Sequence, residues 1–186
     1  MLTAIVLARE DIREYDQRIF LYTKERGLLV TRATGVKKII SKQSSRLEPG
    51  TFIHAEIVRA SGGDKLVSAE PIAFYPQIRR SYRKGLVIQY VLGLVATTVF
   101  PGQPDRALFD FLRLFMSFTS RIPEYAVNTL FVRALWRYMA VIGFESDGIA
   151  SSPRGAAPRN DMKAWHQFAE HHLERCIAAP PSYVFI

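Results

Sequence analysis

The sequence predicts an α+β protein, in which a small barrel of five strands is followed by an all-helical domain. Up to about residue 75, short β-branched or alternating segments are separated by turn residues. Beyond Pro76, apolar residues recur at helical spacing. The predicted domains are therefore residues 1–75 and 76–186.

The strands of the first domain are short and closely spaced. They are predicted at residues 3–8, 18–23, 28–34, 51–60 and 66–69. Hairpin turns are expected at residues 25–27 and 61–64, where glycine can adopt a positive φ. Five strands of this kind are typical of an OB-fold barrel.

The second domain is predicted to contain helices at residues 78–98, 106–119, 123–143 and 161–176. Asp105 is placed as an N-cap, Pro123 as a first helical residue and Gly143 as a helix end. The apolar stretch 85–100 is shorter than the roughly 20 residues that a membrane span needs. We therefore expect it to be a buried helix. Residues 145–158 are rich in Ser, Gly, Ala and Pro and predict a linker or surface loop.

Composition limits the classes of function. The net charge of +8 over 186 residues favours an anionic partner. The single cysteine, Cys176, excludes an intramolecular disulfide and a multi-cysteine metal site. This fits a cytoplasmic location. The N-terminus has no basic region before its apolar run, so a secretory signal is not expected.

Catalysis is not expected, because no phosphate-binding glycine loop, nucleophile elbow or His-Glu zinc signature occurs. Three histidines, His166, His171 and His172, share the last predicted helix. Their spacing differs from the i, i+4 pair of zinc helices. An ordinary helix surface is the preferred interpretation, with no metal and no cofactor.

Residues 32–46, which lead from the third predicted strand toward the fourth, form a cationic segment that contains no acid. Its five basic residues are Arg32, Lys37, Lys38, Lys42 and Arg46. Proteins that bind single strands combine a cationic groove with aromatic platforms. This favours nucleic-acid binding, with Phe20 and Tyr22 as candidate stacking residues. Because alternation does not tell which face points inward, the two aromatics could instead belong to the barrel core.

A second basic cluster opens the helical domain. It consists of Arg79, Arg80, Arg83 and Lys84. These residues could extend a track of phosphate contacts from the barrel to the helices. The alternative is that they only dock the two domains together.

The order of barrel, basic loop and helical domain resembles the RecO family of recombination mediators. The similarity begins with AIVLARE and continues through EYDQRIFLYTKERGLLVTRATGVKK. The residues that fill the family pattern there are Glu14, Asp16, Arg18, Thr23, Gly27 and Gly35. Weaker similarity follows at Ser45–Leu47, in FVRALWRYMAVIGF and in the closing AEHHLERCIAAPPSYVFI.

The sequence also departs from the family pattern. Thr34 stands where the family has lysine, and Ala134 stands where an aromatic residue is usual. The middle insert, which carries a four-cysteine zinc site in many members, is reduced to residues 145–158. The chain thus resembles a shortened member without a zinc site.

The resemblance implies a mediator of DNA recombination and gap repair in the bacterial cytoplasm, associated with the nucleoid. Such a protein binds single- and double-stranded DNA, anneals strands and helps to load the recombinase. Implied partners are RecR and the acidic C-terminal tail of single-strand DNA-binding protein, with no cofactor and no membrane. The alternatives are an RNA-binding OB module with a helical adaptor, or a protein-interaction scaffold without a DNA role.

An acidic tail that ends in apolar residues needs an apolar pocket rimmed by cations. Candidate residues for such a pocket are Arg113, Arg121, Leu130, Arg133 and Arg137. Phe109 and Phe115 could line it. The arginine fork suits a carboxylate, since it donates two parallel hydrogen bonds. The alternative is that these arginines are surface residues paired with Glu124 or Asp110.

Overall fold

The N-terminal part of the chain folds into a closed barrel of five strands. The computed structural model describes residues 1–12, 14–35, 44–73 and 75–143. The strands are β1 (Leu2–Asp11), β2 (Gln17–Thr23), β3 (Gly27–Ala33), β4 (Phe52–Ala60) and β5 (Gly63–Ala73). Their order around the barrel is β1-β2-β3-β5-β4. Only β3 and β5 pair in parallel. The barrel and the helices after it confirm the predicted fold class.

Strand alternation separates the barrel interior from its outer face. Ile19 and Leu21 of β2 point inward and pack with Val6, Ile53 and residues of like burial. A short 3-10 helix, Ser44–Leu47, adds the fully buried Leu47 to the same interior. Phe20 and Tyr22 therefore point outward.

Within the described residues, four helices follow the barrel: α1 (Pro76–Arg79), α2 (Tyr82–Thr98), α3 (Arg106–Arg121) and α4 (Val127–Val141). A 3-10 turn, Glu124–Ala126, precedes α4. As predicted, the Asp105 carboxylate caps α3 by accepting from two backbone N–H groups, and Gly143, with φ 86°, follows the end of α4. None of the helices in the described part of the chain is long and apolar enough to cross a membrane.

Several boundaries differ from the sequence prediction. The prediction that Pro123 is a first helical residue is wrong, because Pro123 is extended at φ −69° and ψ 157° before the 3-10 turn and α4 begins only at Val127. The expected single helix 78–98 is divided, because Ser81 is extended at φ −115° and ψ 117° and caps a new helix by accepting from the Lys84 N–H. Strand β5 has 11 residues rather than four, since pairing with β4 extends it. The predicted loop 145–158 and the predicted helix 161–176, with its three histidines, lie outside the described residues.

The helices cover the outer face of β1, β2 and β3. Ile5, Leu7, Tyr22 and Leu28 belong to the same buried cluster as the inner faces of α2 and α3. The barrel and the helices therefore share a second core, which is separate from the barrel interior.

The connection between α2 and α3 is tied to the turn between β2 and β3. The Gly102 N–H donates to the Leu28 carbonyl at 3.1 Å. At Gly27, whose φ is 66°, a Cβ would lie 2.2 Å from the Gln103 carbonyl oxygen. Only glycine fits both the backbone conformation and this close approach.

Candidate nucleic-acid interface

The cationic segment begins and ends on one end of the barrel. Arg32 of β3 pairs with Asp16, whose other oxygen accepts from the Gly35 N–H at 3.0 Å. After the segment, Arg46 donates to the Ala69 carbonyl of β5 at 3.2 Å. Because β3 and β5 are parallel with Arg32 level with Lys65, Ala69 lies just beyond the end of β3. Lys37, Lys38 and Lys42, between these two anchors, lie outside the described residues.

The second basic cluster lies beside the end of the first. Arg79 shares a small cleft with residues 49–51, which are separated by Glu48 from the 3-10 helix that carries Arg46. Arg79, Arg80 and Arg83 are all exposed. Within residues 1–143 as described, none of the three forms an ion pair. We call these three arginines the basic junction, since they lie where barrel and helices meet.

Lys84 does not belong to this exposed set. Its side chain is buried, and its Nζ donates to the Ser120 carbonyl at 3.2 Å. That carbonyl is in the last turn of α3, where helix carbonyls lack partners and a cation is favoured by the helix dipole. The prediction that Lys84 contacts phosphate is therefore wrong. Helical spacing directs it inward on the face of α2 that carries Ile88 and Val91.

The predicted stacking face is mostly covered. Tyr22 has no exposed surface, and its hydroxyl is bonded to the backbone of Asp105. The prediction that Tyr22 stacks on a base is therefore wrong, because the helices cover the outer face of β2. Phe20 is half-buried against the same core and lies opposite Val30, which is 41% exposed.

An exposed aromatic residue that the sequence analysis did not select lies in the basic junction. Tyr82, the first residue of α2, is 80% exposed and stands between Arg80 and Arg83 in the chain. The sequence signal that could have identified Tyr82 is an aromatic residue within a basic run. This run lies in the stretch between Pro71 and Pro104, which contains no acid. The expectation of one continuous buried helix over residues 78–98 concealed it.

The residues that could line a pocket for an acidic tail differ from those predicted. Phe109 and Phe115 are buried in the core, so the prediction that they line a surface pocket is wrong. The exposed apolar residues of α3 are instead Leu114 and Phe118. Both follow Phe111, at i+3 and i+7, and the Phe111 ring lies 6.2 Å from that of Tyr138 in α4. Leu114 and Phe118 are therefore on the flank of α3 that faces α4.

We call the surface where Leu114 and Phe118 of α3 face α4 the seam between α3 and α4. The candidate cations assigned to it differ in their partners. Arg113 lies 3.8 Å from Asp110, as the surface-pair alternative expected. Arg121 bonds to Ser117 and lies over the Phe118 ring, 5.9 Å from its centroid. Arg133 and Arg137 are exposed on α4, and Leu130 is half-buried there. Arg113 and Arg121 therefore adjoin the exposed Leu114 and Phe118 on α3, whereas Arg133 and Arg137 are exposed on the neighbouring helix α4.

One ionisable group at the covered face has a shifted pKa. Burial raises the pKa of the Tyr22 phenol above its ordinary value, and the hydrogen bond with the Asp105 backbone opposes this in part. Among the described residues, no group of three or more His, Cys, Asp or Glu side chains could hold a metal ion.

Comparison with known proteins supports the resemblance. Residues 1–75 match the family model described as recombination protein O N terminal. The chain is similar to proteins of the RecO family, and the similarity includes the whole barrel. A curated "DNA repair protein RecO" of Geobacter metallireducens is 34% identical over 121 residues, which cover 65% of this chain and 48% of the relative. Two RecO relatives, from Synechococcus sp. and Cyanothece sp., are 26% and 29% identical, over 96% and 76% of this chain.

The similarity to RecO proteins extends beyond the barrel but not over their whole length. The Synechococcus relative aligns with 96% of this chain, which includes the helical part. These alignments cover 48%, 61% and 48% of the three relatives, so the chain spans about half the length of the curated RecO proteins it matches.

The structure gives physical roles to three residues that carried the resemblance to RecO. Asp16 holds Arg32 and the Gly35 N–H at the start of the cationic segment. Gly27 provides the positive φ and the open space at the contact with Gln103. The RecO pattern thus coincides with the positions that fix the cationic segment and the contact between barrel and helices.

Proposed function

We propose that this chain binds DNA along residues 36–46 and the basic junction, and that it acts in DNA repair without catalysing a reaction. One observation carries this proposal. The cleft shared by Arg79 and residues 49–51 brings the basic junction next to the end of the cationic segment. Two clusters that are separate in sequence can therefore contact one continuous phosphate backbone.

We call residues 36–46 together with the basic junction the DNA track. Its chemistry favours affinity over sequence discrimination. Lysine and arginine side chains that neutralise phosphates release counterions, and this term does not depend on base sequence. In this proposal Lys37, Lys38, Lys42 and Arg46 contact phosphates rather than base edges. The same surface can therefore hold single- and double-stranded DNA.

The finer role is that of a recombination mediator. A protein that neutralises the phosphates of two strands reduces their mutual repulsion and so favours annealing. Together with RecR and single-strand DNA-binding protein, the chain would assist recombinase loading at the bacterial nucleoid. Its relatives carry the name "DNA repair protein RecO", which supports a role in repair.

The seam between α3 and α4 is the proposed site for the acidic tail of single-strand DNA-binding protein. Leu114 and Phe118 offer apolar surface, and Arg121 is held over the Phe118 ring. Arg133 and Arg137 supply the cations that a terminal carboxylate requires. This surface shares no residue with the proposed DNA track.

The decisive experiment is the salt dependence of DNA binding after neutralisation of Lys37, Lys38, Lys42 and Arg46 to glutamine. On single strands, each lost phosphate contact should reduce the slope of log affinity against log salt by roughly 0.7. A fourfold variant should therefore lose up to about 3 units of slope, with every DNA sequence weakened alike.

The matched control removes four exposed cations elsewhere: Lys24, Arg59, Lys65 and Arg106. Its net charge is the same, yet its slope should stay close to that of the wild type. Equal losses in both variants would show that net charge alone governs binding. A clear preference for RNA in a competition titration would favour the RNA-binding alternative.

A further inference from the structure

We infer that Tyr82 and the basic junction form a binding site for one unpaired nucleotide of a single strand. In this site the tyrosine ring stacks on the base, while Arg79 and Arg83 hold the adjoining phosphates. The inference rests on the proposed DNA binding and adds to it a preference for single-stranded DNA at the junction.

The first argument is the exposure of Tyr82 on a fixed element. Its side chain is 80% exposed, although α2 is anchored directly around it. Ser81 caps the helix, and Lys84 ties its first turn to the last turn of α3. An aromatic ring on a rigid helix start loses little conformational entropy when a base stacks on it.

The second argument is the charge around the ring. Arg79, Arg80 and Arg83 are exposed, and no carboxylate pairs with them among the described residues. No acid occurs in the sequence between Pro71 and Pro104. The start of α2 also carries the positive end of the helix dipole, with no acidic residue in its first turn. Phosphates on either side of a stacked base would therefore meet these arginines and the positive end of α2.

The third argument is the apolar surface next to the ring. Leu86 lies one helical turn after Tyr82 on the same face of α2 and is 47% exposed. A ring and an aliphatic side chain in line give a base and its sugar a larger apolar contact. Two other highly exposed aromatic residues, Phe100 and Tyr125, are not flanked by a cluster of arginines.

The arrangement favours single strands because stacking needs a free base face. In a duplex both faces of each base are already occupied by its neighbours, so Tyr82 can add little to duplex affinity. The basic junction lies beside residues 49–51, which follow Arg46, and a strand on the cationic segment can therefore continue onto it. Arginine contacts serve both forms of DNA, whereas the tyrosine ring discriminates between them.

The test compares Tyr82→Ala, Tyr82→Phe and Tyr125→Ala in the full chain. Each variant is titrated with a thymine oligonucleotide and with a duplex of the same length. Loss of one stacked base should weaken single-strand binding by Tyr82→Ala roughly 5- to 150-fold. Duplex affinity should change less than about twofold. Tyr82→Phe keeps the ring and should keep the affinity, and Tyr125→Ala, which removes an equally exposed tyrosine, should bind like the wild type.

A second readout isolates the stacking contact. The fluorescence of 2-aminopurine placed in the oligonucleotide should be quenched by the wild type and by Tyr82→Phe but less by Tyr82→Ala. Single-strand affinity of Tyr82→Ala equal to the wild type, or equal losses for single strand and duplex, would overturn the inference. The steep salt slope of the wild type would still stand in that case, so the proposed DNA binding is tested separately. If the wild type binds neither form, the proposed function fails first.

A separate control tests whether the site binds single-stranded DNA or a lipid surface. Vesicles with anionic phosphatidylserine headgroups present negative charge without bases. Should Tyr82→Ala lose vesicle binding while its binding to single strands stays unchanged, the site serves a lipid surface and the inference is wrong. Unchanged thermal unfolding of Tyr82→Ala would confirm that the fold is intact, as its high exposure predicts.

Discussion

The hydroxyl group of Tyr22 bonds to both backbone groups of Asp105. It accepts from the Asp105 N–H at 3.1 Å and donates to the Asp105 carbonyl at 3.3 Å. Tyr22 belongs to the barrel, whereas Asp105 caps the third helix. One side chain therefore joins the barrel to the start of α3.

The first prediction is that Tyr22→Phe weakens the fold without unfolding it. The ring stays in the core, but two backbone groups of Asp105 lose their partner, which should cost about 1–3 kcal/mol of unfolding free energy. Urea unfolding near neutral pH measures this cost. An exposed matched control, Tyr125→Phe, should change stability by less than about 0.5 kcal/mol.

The same variant tests the raised pKa of Tyr22. In the unfolded chain the phenol titrates near its ordinary value of about 10, and in the folded chain burial raises its pKa. The stabilisation is therefore complete below about pH 10 and is lost as the pH rises toward the folded-state pKa. The stability difference between the wild type and Tyr22→Phe should shrink above about pH 10. A difference that stays constant there would contradict the shift.

The second prediction concerns the close approach at Gly27. Gly27→Ala and Gly63→Ala both place a Cβ at a positive φ, which costs about 1–2 kcal/mol. At Gly63 nothing lies within 4 Å of that Cβ, whereas at Gly27 it would meet the Gln103 carbonyl at 2.2 Å. Gly27→Ala should therefore be more destabilising than Gly63→Ala by a further 1–3 kcal/mol or so. Equal midpoints in urea unfolding would contradict the observed contact between the two segments.

Much of the fold could be predicted from local patterns. The helix predicted at residues 106–119 is present as α3, because a period of 3.6 residues needs only local sequence to be recognised. The Asp105 cap and the turn at Gly27 have equally local signals. The division at Ser81 was missed, since the residues on both sides remain compatible with one helix.

The candidate site depended more on tertiary contacts. Alternation in β2 places Tyr22 opposite to Leu21 but does not show that helices cover the outer face. Lys84 continues a basic run in sequence, yet its partner is a carbonyl 36 residues away. In both cases, an element distant in the chain determines whether the side chain is buried. The sequence could therefore indicate a basic cluster without showing which of its members is buried.

The third prediction separates Lys84 from its neighbour Arg83. Lys84→Met removes the donor to the Ser120 carbonyl and should cost about 1.5–3 kcal/mol of unfolding free energy, with the salt slope of DNA binding unchanged. Arg83→Met removes an exposed cation and should reduce the slope on single strands by roughly 0.7, with stability unchanged. Thermal unfolding and salt titration of the two variants measure both properties. A reduced slope in Lys84→Met would restore Lys84 to the DNA track.

The last prediction concerns the seam between α3 and α4. Arg133→Glu should abolish binding of an acidic peptide that ends in apolar residues, because it replaces an exposed cation with a repelling charge. Phe118→Ala should weaken binding of the same peptide, because it removes exposed apolar surface and the ring under Arg121. Neither variant should alter the affinity for naked DNA, since the proposed DNA track uses other residues. A peptide titration followed by fluorescence anisotropy measures the first property, and an oligonucleotide titration the second.

The control for this surface is Arg106→Glu. Arg106 is exposed at the start of α3 and lies 3.8 Å from Asp110, three turns before Phe118 in the same helix. Its reversal changes the net charge as much as Arg133→Glu does, but at a distance from the seam. If general attraction between a basic protein and an acidic peptide governs binding, the two charge reversals should lower the affinity for the peptide equally. If the seam binds the tail, only Arg133→Glu should do so, because a terminal carboxylate needs its cation beside the pocket that holds the apolar end.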